Sequence, residues 1–250
     1  MIKLRLSLLI VLSACMVAGL GAQAKAAASP SPAPEKGGSV TIEDLYLSQE
    51  VEVQVLRSQV LSNNRETKML ALQSLGSMID EKRLGPDNKD MIAMLESLAG
   101  EGVFKIVRLD GSVSNYFPDV RREAVGLLGK VGGKDSKVIL QRVILADKEP
   151  MVLAEAVYAM GRMATADDKD VLPYIGKVML NNNNSATPDN NLAYSCLLTI
   201  ERLSGTFNGI AEPELISALL DTASSGLYIK DVSAKAKSVI GKLLSTKSTK

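Results

Sequence analysis

Cys15 and Cys196 are the only thiols in this 250-residue chain, and it contains neither histidine nor tryptophan. Without histidine there is no imidazole general base, no Ser-His-Asp or Cys-His nucleophile pair, and no Cys/His set for zinc. The side chains left with chemical capacity are carboxylates, amines, guanidiniums and those two thiols. Asp167-Asp168 could serve metal or acid–base work, but it stands before a helical stretch, where a carboxylate suits capping and the positive end of the helix dipole. The run Asn181 to Asn184 reads as a solvated loop, although Asn183-Asn184-Ser185 also fits the glycosylation acceptor pattern. No catalytic constellation, cofactor or metal is expected.

Composition narrows the function further. The 29 basic and 28 acidic residues nearly cancel, so no global field draws the chain to nucleic acid or an anionic membrane. With 46% apolar and 23% charged residues, the chain has material for a sizeable core, which excludes disorder throughout. Lys3 and Arg5, the apolar run Leu6 to Leu20, and Ala22-Gln23-Ala24 make the three-part pattern of a signal peptide over residues 1–24. That run is shorter than the roughly 20 apolar residues of a membrane span. The pattern predicts export to the periplasm or beyond the cell, with no transmembrane span in the mature chain. Leu12-Ser13-Ala14-Cys15 also resembles a lipobox, which would put a lipid on Cys15 and tether the protein to a membrane. In either case Cys196 is the one cysteine left in the folded part, so no intramolecular disulfide can form.

Residues 25–40, containing KAAASPSPAPEKGG, form a Pro/Ala/Ser/Gly tether that cannot build a core. Beyond it, self-similarity organises the chain. Asp119 to Val131 recurs 32 positions later, ending at Met163, with Gly129 and Gly161 coincident. Further copies lie at Thr67 to Met78, Leu192 to Leu203 and Asp231 to Leu243. In register they align Thr67, Val120, Val152, Leu192 and Val232. A second column holds Ala71, Ala124, Ala156, Cys196 and Ala236, which makes Cys196 a small buried side chain. A third holds Leu75, Leu128, Met160, Ile200 and Ile240, and a fourth Met78, Val131, Met163, Leu203 and Leu243. Successive columns are four, four and three residues apart, the spacing of one helical face. Further helical stretches alternate with these copies, at Thr41 to Leu61, Asn88 to Leu98, Asp135 to Ala146, Asp168 to Leu180 and Glu212 to Ala223. Thr41 with Asp44, Asp135 and Asp168 are candidate caps, and Pro213 suits a first turn. Five helix pairs, none able to bury its apolar face alone, predict an all-α chain folded as an α-solenoid. The expected domain covers 41–244, with pairs near 41–80, 87–132, 134–164, 167–204 and 211–244, and residues 245–250 as a polar tail.

Pro118 to Ala124 together with Leu127-Leu128-Gly129 resembles the second helix of a HEAT repeat, and the resemblance extends over about Leu45 to Leu244. It implies a right-handed superhelix of stacked helix pairs, used mostly as a binding surface. The family's stacked Asp and Arg are present only as Asp119 and Arg121, because the next two copies have Leu153 and Ala193 at the Arg position.

Registering the repeats also aligns Lys130, Arg162, Arg202 and Lys242. In the last turn of its helix each cation would meet the negative end of the dipole and exposed carbonyls; the alternative is a column that holds an anionic partner. The insert Glu101 to Pro118 departs from the repeat spacing and carries Phe104 and Phe117. Its Asp110-Gly111 suits a type I′ hairpin turn, and it either gives partner specificity or covers the neighbouring helices. The expected function is an exported, non-catalytic scaffold that binds a protein partner, with no nucleic-acid role. A lipid-anchored structural envelope component is the alternative, and a HEAT-like lyase a further one.

Overall fold

The computed structural model describes residues 42–207 and 209–247. They form ten α-helices: α1 (Ile42–Leu61), α2 (Arg65–Asp80), α3 (Lys89–Ala99), α4 (Pro118–Val131), α5 (Gly133–Ala146), α6 (Pro150–Met163), α7 (Leu172–Asn183), α8 (Asn190–Thr206), α9 (Pro213–Ser224) and α10 (Lys230–Lys247). The short strands β1 (Arg108–Leu109) and β2 (Ser112–Val113) pair antiparallel between α3 and α4. The expected signal peptide, Cys15 and the tether lie outside the described residues, as do the side chains of the Thr41–Asp44 capping box. At the other end α10 runs on through Ser245 to Lys247, past the expected start of the polar tail.

Local chemistry explains most helix starts. The side chains of Asn64, Asn88 and Asp189 accept backbone N–H bonds at 2.7–2.9 Å and so cap α2, α3 and α8. Pro118, Pro150 and Pro213 open their helices, where a missing N–H costs nothing. Two expected caps are corrected. α5 begins at Gly133, ahead of Asp135, which pairs instead with Lys89 of α3. Asp168 closes a turn by accepting from the Thr165 N–H at 2.9 Å and from its hydroxyl, while α7 starts only at Leu172 after a 3-10 turn.

The helices make two layers. The even-numbered ones pack in sequence from α2 to α10, and α3, α5, α7 and α9 pack likewise behind them. The alanine column lies in the core: Ala71, Ala124, Ala156, Cys196 and Ala236 are all fully buried. Glycines let the even helices approach. A Cβ on Gly129 would fall 2.5 Å from that of Ala159, and one on Gly161 would fall 2.5 Å from Thr199 Cγ2. Gly241, in register with both, has nothing within 4 Å of that position among the described residues. The exposed side of α10 carries Lys237, Ser238 and Lys242, a polar end suited to a terminal repeat.

Candidate functional site

Two polar systems run across the repeats, one buried and one on the surface. The buried system begins with Lys68 of α2, 3% exposed, whose Nζ donates to Glu101 Oε2 at 2.8 Å and to the Val60 carbonyl at 2.7 Å. Asn115 donates to Glu101 Oε1 at 2.8 Å and to the Lys105 carbonyl at 2.7 Å, and accepts from the Val107 N–H. One repeat later Arg121, fully buried, donates from Nε to Asp147 Oδ2 at 2.6 Å and from Nη2 to Oδ1 at 3.2 Å. Its Nη1 reaches the Glu101 carbonyl at 3.1 Å, and its guanidinium lies 4.6 Å from the Tyr116 ring centroid. Burial opposes this charge, but the Asp147 carboxylate outweighs it and raises the Arg121 pKa. Lys68 and Arg121 occupy the same register position, one after the first column. The Asp–Arg pattern therefore has an additional rung that a search for arginine misses, because lysine fills the place. Asp119 itself turns outward and pairs with Arg65.

The surface system is the cationic column, and each of three members reaches back to the preceding repeat. Lys130 pairs with Asp80 of α2 at 3.0 Å. Arg202 donates to the Arg162 carbonyl at 3.4 Å, and Lys242 pairs with Glu201, which Lys235 also holds. These two lysines and Lys130 thus have carboxylate partners. Arg162 lies over Tyr158, 5.8 Å from the ring centroid, and neither it nor Arg202 is ion-paired among the described residues. Lys130 and Arg162 do sit in last turns, but α8 continues past Arg202 to Thr206. Arg202 meets the negative end of α6 rather than that of its own helix. Beside Arg162, Glu155 is partly buried with Gly126 under its carboxylate; burial pushes its pKa up, and Arg122 and Arg162 oppose the rise. Tyr158 on α6 and Tyr194 on α8 are both exposed.

The insert folds as its sequence suggests. Asp110 and Gly111 take φ of 49° and 82°, which a type I′ turn requires. Its phenylalanines separate: Phe117 packs partly buried against the core, whereas Phe104 is 39% exposed with the Arg142 guanidinium 5.0 Å from its ring. Ile106 and Leu109 are more exposed still. Cys196 is fully buried, and burial pushes its thiol up to about 12, so it stays protonated and unreactive. Among the described residues no group of three or more Cys, Asp or Glu is placed to hold a metal ion. No helix among them is long and apolar enough to cross a membrane.

Stacked helix pairs with a shared alanine column and polar contacts between consecutive repeats define an α-solenoid. Residues 109–186, from the hairpin through α7, match the family model of HEAT repeats. That segment is similar to HEAT repeats, and the helix pairs on either side of it continue the same stacking. No curated protein matches it. HEAT repeats generally mediate protein–protein interaction and scaffolding, and the family is typically non-catalytic.

Proposed function

We propose that this chain is an exported scaffold that holds a protein partner against the even-numbered helices, with an acidic segment of the partner seated at Arg162 and Arg202. The supporting observation is that these two guanidiniums lie on successive repeats with no ion-paired carboxylate among the described residues, while Lys130 and Lys242 of the same column have one. Arg162 lies over the exposed Tyr158, and arginine and tyrosine are among the residues enriched at interface hot spots.

An oligoglutamate peptide carrying a fluorophore tests the charge requirement. Wild-type protein binds it, and binding weakens as salt brings the Debye length below about 8 Å. The double variant R162Q/R202Q loses most of this affinity while its stability falls by no more than about 1 kcal/mol per site. Salt-insensitive binding that survives the double substitution overturns the assignment, and the exposed face of the insert around Phe104 then takes its place. The leader supports export, and the lipobox-like residues ending at Cys15 support the alternative of a lipid-anchored envelope component. An intact mass beginning at Lys25 supports the first, and an acylated chain beginning at Cys15 the second.

A further inference from the structure

The buried system of Lys68 and Arg121 stops between the third and fourth repeats. The register position that holds Lys68 and then Arg121 is occupied next by Leu153, which has no charge to carry across. Its counterpart in the following loop also changes. Asn115 and Asp147 both stand five residues before the first column, and the equivalent residue in the fourth repeat is Thr187. A long cation reaches over this space in the two earlier steps. Here a pocket of about 370 Å³ opens instead, bordered by both Leu153 and Thr187.

The pocket has two chemical parts. Ile144, Leu153, Val178 and Leu192 supply apolar surface, and Lys148, Lys177 and Asn181 are exposed around it. Two carboxylates also border it, but both are engaged. Asp147 binds Arg121 and the N–H groups of Lys148 and Glu149, and Asp189 caps α8 through the Leu192 N–H. Neither Lys148 nor Lys177 forms an ion pair among the described residues. Two lysines without an ion pair among the described residues therefore border a recess that is part apolar and part polar and large enough for a small molecule.

We propose that this pocket binds a medium-chain aliphatic carboxylate, with the hydrocarbon against Leu153, Val178 and Leu192 and the carboxylate at Lys148 and Lys177. The site is separate from Arg162 and Arg202, so it stands or falls independently of the scaffold reading.

Titration calorimetry of the full chain with octanoate, octanol and octylammonium tests both parts. Octanoate binds at one saturable site, about tenfold tighter than octanol, a ratio equivalent to 1.4 kcal/mol, and octylammonium binds more weakly than octanol. K148Q/K177Q, which changes only exposed side chains, abolishes the preference for octanoate over octanol. L153R returns the long cation of the earlier repeats to this position, fills the pocket and removes binding of all three. Octylammonium binding as tightly as octanoate overturns the proposal. So does an undiminished octanoate preference in K148Q/K177Q, which decides the matter even if L153R fails to fold.

Discussion

Replacing Arg121 by leucine removes a charge that is fully buried and leaves its partner Asp147, with a side chain 2% exposed, inside the protein. Asp147 Oδ1 keeps the N–H groups of Lys148 and Glu149 at 2.8 and 3.0 Å, but Oδ2 loses the 2.6 Å bond from Nε. Breaking a buried ion pair from one side costs about 3–5 kcal/mol, because the remaining charge is desolvated and uncompensated. In a unit of this size that corresponds to a fall in melting temperature of about 6–20 °C. The chain itself supplies the control. Leu153 and Thr187 hold the equivalent places one repeat later, so R121L/D147T copies an arrangement the solenoid already contains. Removing both charges together is often close to neutral, and the threonine hydroxyl can still accept from the loop N–H groups. Urea unfolding of wild type, both single variants and the double variant gives the cycle. The double variant is expected to be more stable than either single variant, with a coupling of at least about 2 kcal/mol. A cost below about 1 kcal/mol for R121L, or additive losses in the double variant, would refute the argument that uncompensated burial sets the penalty.

Three further outcomes rest on glycine packing and on a perturbed carboxylate. Gly129→Ala destabilises by about 1–3 kcal/mol, because its methyl would meet Ala159 and force α4 from α6. Gly241→Ala, in register but facing open space, instead stabilises by about 0.5–1 kcal/mol, as alanine does in a helix interior; thermal unfolding reads both signs. Lys137 and the hydroxyl and N–H of Thr165 hold the Asp168 carboxyl down to about 2. Its ionised form therefore adds stability above the ordinary value near 4, and that contribution is lost as pH falls toward about 2. The stability advantage of wild type over D168N should be full at neutral pH and shrink through that window, as followed by urea midpoints at each pH.

The helical layers were legible because they rest on periodicity, which is local. Four apolar columns at spacings of four, four and three define one face whatever lies across from it, and the small residues of the alanine column are fully buried on it. The hairpin was legible for the same reason, since Asp110-Gly111 encodes its turn by itself. Helix starts were read less well: Asp135 resembles a cap, but the glycines before it let α5 begin earlier. The position of Phe117 against the core and of Phe104 at the surface could not be read, because nothing within a helix-breaking insert sets which ring faces inward.

Register alone identified Lys130, Arg162, Arg202 and Lys242 as one column, whereas which of them form ion pairs among the described residues depended on Asp80 and Glu201 of other helices. The buried partners show the same division. Lys68 and Glu101 are 33 residues apart, and Arg121 and Asp147 are 26 apart. Sequence specified the cation at each register position and the leucine that replaces it at 153. Only the stacking of one repeat on the next brought a loop carboxylate beneath two of those positions and left a pocket beside the third, because the energy of a buried charge is decided by what packs around it in space.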